Sequence, residues 1–411
     1  MLQSIAAGLM AACVAVAPAA AHDMSQHMQS MGSQAATTCR AAVLSCAISA
    51  TPAFNRTGAL RLIYSVEGRM YVARSLDEGK TFEPALALNE APVDIDDNFD
   101  GRPTIAIAPD GTIATAWSVW RDKKTWAGQV LTSFSKDDGK TFSTPKPITE
   151  SVSQRFATIG FAPDNTLWAT WLDKRNLAAA KASGDDYEGA GLAVSLSRDG
   201  GAHFTDAKIV SDRTCECCRV SIAFDTDGSA IAAWRQIFGK NIRDHEVGRL
   251  APDGAKLEGV RVSEDNWAID ACPHHGPNLS IGADGVRHIV WFTGGKTRSG
   301  LFYAHETGQG AAFSEPQAFG DPQRAPSHPQ VLASGSRLAR AWKEFDGEHT
   351  AIMLQTSVDG GEKWTAPEAV ATTADSSDHP LLIAHDGRMY LSWLTKAEGY
   401  RLMPINAVGE R

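Results

Sequence analysis

After its first two dozen residues this 411-residue sequence contains no apolar run that approaches the roughly 20 residues a membrane-spanning helix needs. No transmembrane segment is therefore expected in the mature chain. Basic charge is scarce too: 39 Lys and Arg stand against 48 Asp and Glu, a formal net charge of −9, with no basic stripe. Proteins that grip nucleic acid neutralise phosphates with clustered Lys and Arg, so no nucleic-acid partner is expected. Lys and Arg are missing even ahead of the one long apolar run, "MLQSIAAGLMAACVAVAPAAAHDM". Its small-residue end at Ala19-x-Ala21 nevertheless fits the rule for secretory cleavage. Residues 1–21 are expected to be a signal peptide and the protein periplasmic or secreted, with lipidation of Cys13 in "LMAAC" as the alternative. Residues 22–38 are polar, rich in Met and free of strand pattern, and read as a disordered leader. Residues 39–411 read as one domain.

What is present is repetition. "SLDEGKTF" at 75, "SKDDGKTF" at 135, "SRDGGAHF" at 197 and "SVDGGEKW" at 357 share the pattern S-x-D-x-G-x-x-aromatic. Such a segment makes a tight turn between strands: Asp oxygens accept from turn amides, Gly takes a positive φ, and the aromatic packs back on the core. A second pattern interleaves with it, an alternating strand, an Asp-Gly turn and a strand bearing Trp, as in "RPTIAIAPDGTIATAWSV" and "RVSIAFDTDGSAIAAWRQ". Successive turns lie about fifty to just over sixty residues apart, the period of four-stranded propeller blades. The expected fold is an all-β propeller of seven blades by repeat count, with six as the alternative. The last unit, ending "GYRLMPINAVGER", lacks a fourth strand, and "CRAAVLSC" near residue 40 is a spare strand expected to supply it.

The S-x-D-x-G turns resemble the Asp-box, or bacterial neuraminidase repeat, of sialidase-like β-propellers, and the resemblance covers most of the mature chain. Within that group, "CECCR" at 215 and "CPHHGP" at 272 resemble the strand starts of exported bacterial members with no assigned substrate. Sialidase chemistry would imply three arginines gripping a carboxylate, a Tyr nucleophile activated by Glu, and an Asp acid. Arg102, Arg219, Asp100 and Tyr303 are the candidates here, with Arg155, Asp97 and Tyr390 beside them. The family's early Arg-Ile-Pro motif is absent.

In a propeller the first strand of each blade lines the central channel, so residues just before it ring one channel mouth. That position holds Cys217 and Cys218, then His274 and His275, then His328, then His379, ahead of strands expected at 219–225, 277–283, 329–333 and 380–384. With Cys272 these form an expected metal site, since thiolate and imidazole suit copper or zinc and soft sulfur favours Cu(I). The competing reading is a disulfide from Cys215 or Cys217 to Cys272. Excluding Cys13, six cysteines allow fifteen pairings, and vicinal Cys217 and Cys218 do not easily bridge each other. In the leader His22, Met24, His27, Met28 and Met31 offer another copper-preferring set. Three functions stay open: an exported copper-binding protein holding metal or a small ligand at the channel mouth, a hydrolase of sialic acid or another acidic sugar, and a protein-interaction scaffold.

Overall fold

The repeated turns fold as their chemistry dictates. In the computed structural model, which describes residues 43–185, 187–306 and 312–406, Ser75 Oγ donates to Asp77 Oδ1 (2.8 Å) and accepts from the Gly79 amide (2.9 Å). Asp77 in turn accepts from the Thr81 amide (2.9 Å) and hydroxyl (2.6 Å). Gly79 stands at φ 81°, a conformation that disfavours any side chain. The same hydrogen bonds from Ser and Asp close the turns at Ser135, Ser197 and Ser357. Each turn leads the third strand of a sheet into the fourth.

The strands are antiparallel throughout and follow chain order, except that Lys208–Thr214 pairs with Ala230–Phe238 past Ser221–Phe224. Ala50–Phe54, Leu60–Val66, Arg69–Ser75 and Leu86–Ala87 form one sheet, and Thr104–Ile107, Ile113–Asp122, Ala127–Ser135 and Lys146–Pro147 the next. Gln154–Phe161, Leu167–Asp173, Ala190–Ser197 and Lys208–Thr214 continue into Ser221–Phe224, Ala230–Phe238, Ile242–Leu250 and Leu257–Arg261 as one eight-stranded sheet. Its halves pair only at Thr214 and Gln236. Two further four-stranded sheets follow: Asn278–Ile281, Arg287–Gly294, Ser299–His305 and Gln317–Phe319, then Ser327–Ser334, Arg337–Phe345, Thr350–Ser357 and Glu368–Thr373. Leu381–His385, Arg388–Thr395 and Gly399–Ile405 end the chain as a three-stranded sheet.

The first strands of successive sets touch in order, and Leu381–His385 touches Ala50–Phe54 again. Between neighbouring sets lie Trp117, Trp171, Trp234, Trp291, Trp342 and Trp393, all on second strands and all at most 2% exposed. Around Trp171, for instance, Ala114, Ala116 and Ile148 of one sheet meet Ile159 and Ala193 of the next. Small residues on one face make room for a large ring on the other, which is how interiors reach their density.

Two segments depart from the sequence expectation. Leu44–Cys46, the described part of the spare strand, is a 3-10 turn packed against Gly399–Ile405, and it contributes no ladder to that sheet. Its Val43 and Leu44 carbonyls accept from the Cys46 and Ala47 amides, so they are satisfied within the turn, and Cys46 is disulfide-bonded. Arg175–Ser183, an Ala-rich helix between the second and third strands of its sheet, was not expected from the strand pattern. It ends at Gly184, φ 80°. The signal-peptide, leader and Cys13 readings lie outside the described residues.

Candidate functional site

The strands after the Cys and His runs begin close to where the pattern puts them: Ser221–Phe224, Asn278–Ile281, Ser327–Ser334 and Leu381–His385. Two of their leading loops are pressed together at Gly276, where an added Cβ would stand 2.4 Å from the Arg219 carbonyl oxygen. "CECCR" and "CPHHGP" therefore meet backbone to backbone, and only glycine permits it.

The seven expected ligands fall into two groups and do not surround one centre. In the first group, Cys215 Sγ lies 3.3 Å from Cys218 Sγ and 3.7 Å from Cys217 Sγ. All three thiols are buried in the wedge between sheets, among Phe156, Leu172 and Trp234. Among the described residues neither Cys217 nor Cys218 shares a donor group with His328 or His379. Cys272 is exposed, and Cys217, Cys272 and His274 bring their donor atoms within 4.8 Å of one another. Cys215, Cys217, Cys218 and Cys272 are all free, so the structure contains neither of the bridges weighed against metal ligation.

Two buried arginines, which sequence reasoning missed, serve the thiols. Arg243 Nη1 donates to Cys215 Sγ at 3.3 Å, and the Arg235 carbonyl accepts from the Cys215 amide at 2.8 Å. The Arg235 guanidinium also donates to the His275 carbonyl at 2.7 Å, tying the two loops. Hydrogen bonds from Cys217 and Cys218, with the charges of Arg235 and Arg243, hold the Cys215 thiol well below its ordinary pKa. A hydrogen bond from Cys217 likewise lowers Cys272. The only sequence signal for Arg235 was a charge inside the otherwise apolar strand "AIAAWRQ".

The second group centres on Asp100. Its carboxylate lies 3.6 Å from His274 Nδ1 and 3.8 Å from both His328 Nε2 and His379 Nε2. The His328 and His379 rings stack at 3.4 Å, and His275 lies 4.5 Å from His328. Nδ1 of His275, His328 and His379 is buried without a hydrogen-bond partner. Burial pushes His275 down to about 3 and His328 and His379 well below the ordinary range, so at neutral pH these rings are uncharged. Burial raises the Asp100 carboxyl, against the opposing pull of His274, Arg219 and Arg102. Lys343, beside the same group, is lowered to about 8 by burial. His274, near both groups, is their meeting point.

The sugar-hydrolysis candidates are only partly gathered. Arg219 clamps the Asp100 carbonyl, at 2.9 Å from Nε, and Arg102 pairs with Asp378. Arg155 forks onto Asp96 at 2.7 and 3.1 Å, and Asp97 accepts from Ser49 at 2.9 Å. Tyr303 is elsewhere: it lies 2.8 Å from His288 Nδ1 and donates to the Gly360 carbonyl at 3.3 Å, in one of the S-x-D-x-G turns. Tyr390 donates to Glu78 in another such turn (2.8 Å). Both tyrosines sit at the turn ends of their strands, and the Asp100 group sits where first strands begin.

No protein-family model matches the chain, and no curated protein matches its sequence. Solved structures do resemble it. An ulvan lyase, a polysaccharide lyase bound to a GlcA(1-4)Rha3S unit, superposes with a TM-score of 0.55 at 12% identity, covering 85% of this chain and 90% of that one. A Hadza microbial sialidase gives 0.49 at 15% identity over 87% and 65% of the two chains. NanB sialidase from Streptococcus pneumoniae gives 0.48 at 10% identity over 85% and 84%. At such identities the likeness is one of fold: this is an all-β chain with sialidases and polysaccharide lyases as structural neighbours.

Proposed function

We propose that this chain is an exported, seven-bladed, sialidase-like β-propeller that binds copper as Cu(I) through its buried thiols. Seven sets of strands whose first strands touch in order, the last returning to the first, support the blade count. The observation that carries the metal is the trio Cys215, Cys217 and Cys218, with sulfurs 3.3 and 3.7 Å apart, no disulfide among them, and two arginines to balance thiolate charge. Metal–sulfur bonds of about 2.3 Å place sulfurs roughly 3.8–4.0 Å apart around one ion, so Cys215 and Cys218 need to separate by about 0.5–0.7 Å and Cys215 and Cys217 by less. Three sulfurs in a dry pocket favour a soft ion. A sialidase-type mechanism has less support, because neither Tyr303 nor Tyr390 stands with Asp100 and Arg219.

The test is copper loading under a non-thiol reductant, followed by elemental analysis of wild type and the Cys217→Ser, Cys218→Ser double variant. The double variant is expected to lose the buried copper at unchanged fold by circular dichroism. Equal copper in both proteins overturns the proposal, and zinc retained in preference to copper corrects the metal.

A further inference from the structure

Cys217 belongs to two donor groups at once. The buried group is Cys215, Cys217 and Cys218; the second, reaching the surface, is Cys217, Cys272 and His274. Within each, every donor atom lies within 4.8 Å of the other two, and among the described residues no fourth Cys, His, Asp or Glu lies that close to all three, Glu216 Oε1 standing 3.9 Å from the outer sulfur, Cys272 Sγ. Each set has three donors. Zinc in a structural site takes four in a tetrahedron, whereas Cu(I), monovalent and soft, is content with two or three.

From this overlap we infer that the thiols hold a pair of Cu(I) ions bridged by the Cys217 thiolate, one ion buried on Cys215, Cys217 and Cys218, the other at the surface on Cys217, Cys272 and His274. The inference rests on the Cu(I) reading above and deepens it. Charge accommodates the second ion. Four thiolates and two Cu(I) ions leave two negative charges, the same as three buried thiolates with one ion, and Arg235 and Arg243 stand beside Cys215 to offset them.

Access also fits. Cys215, Cys217 and Cys218 are at most 3% exposed, so an ion cannot reach the inner set directly from solvent. Cys272 is exposed and the His274 side chain is 46% exposed. The outer set is the entrance, and the bridging sulfur is the one ligand an ion keeps while passing inward. His274 stands at φ 54°, and the Asp100 carboxylate lies 3.6 Å from its Nδ1.

The experiment is anaerobic titration of the full chain with Cu(I) against a competing chelator, read as copper lost relative to wild type so that any ion held elsewhere cancels. Cys272→Ser is expected to lose one equivalent, Cys218→Ser one, and Cys217→Ser two. X-ray absorption of the loaded wild type should show a short copper–copper path that Cys272→Ser abolishes. Cys217→Ser losing no more than Cys218→Ser, or a Cys272→Ser protein with wild-type copper, overturns the bridged pair and leaves the single buried site standing. Loss of nothing in any of the three variants overturns both readings.

Discussion

Asp97 shows how far a single buried group sets the pH response of this protein. It accepts from Ser49 Oγ and Ser65 Oγ, and burial raises its carboxyl from the ordinary 3.8 to about 6. Because the folded chain holds the proton more tightly, the stability it contributes is complete below about 3.8 and is lost as pH rises through about 6. At neutral pH the ionised carboxylate costs on the order of 3 kcal/mol. Asp97→Asn removes that ionisation, so its melting temperature should vary less between pH 4 and 7 than wild type, as differential scanning calorimetry will read. An unchanged profile would remove Asp97 as the cause. The thiols were legible in the sequence because adjacency in "CECCR" forces them together. Arg235 and Arg243 were not, since they sit 20 and more positions away on the two strands that pair across the next hairpin, where register alone decides what they face.

The S-x-D-x-G turn is the element whose chemistry is most local, and it was read correctly for that reason: all its hydrogen bonds fall within five residues. In the third copy the Ser197 side chain is buried and accepts from the Gly201 amide at 2.8 Å, itself out of reach of water. Ser197→Ala strands that amide, at a cost of about 1–3 kcal/mol, measurable as a lower urea midpoint at unchanged m-value. Glycine at 201 holds φ 104°, so no side chain replaces it without further strain. The sequence "NIRDHEVGRLAPDG" keeps strand and turn after losing the Ser and the aromatic. There Asp253 accepts from the Ala255 amide at 2.9 Å within the turn and the Gly254 amide bonds the Ala251 carbonyl at 2.8 Å, a smaller local net for the same reversal. Elements decided by helix propensity or by distant packing were not legible. Arg175–Ser183 interrupts a hairpin with its own alanines, and Leu44–Cys46 turns where alternation promised a strand.

At the scale of the whole molecule, a buried carboxylate is among the groups that join the first and last sheets. Asp378 pairs with the buried Arg102 and accepts from the Ala50 amide at 3.0 Å, and both side chains are 1% exposed. Asp378→Ala leaves a guanidinium in the interior without its anion, which costs about 3–5 kcal/mol. The double variant Asp378→Ala, Arg102→Met should recover part of that loss in equilibrium unfolding, and failure to recover any would mean that the Ala50 amide is the partner that matters. The order of the sheets was legible because each repeat is a hairpin unit with its own turns. The two donor groups at the Cys and His runs were only half legible: the pattern names the strand ends, but whether a side chain turns to the wedge or to the mouth is settled by neighbours from other sheets.

The bond between Ala50 and Asp378 spans 328 positions, and that separation has a consequence in time. A ribosome adding roughly 5–20 residues per second delivers Asp378 about 15–65 s after Ala50. Throughout that interval the first sheet has one neighbour in place of two, and the Arg102 guanidinium has no counter-charge from the last. Sheets that form from the N-terminus onward therefore build an arc that stays open until the final sheet arrives.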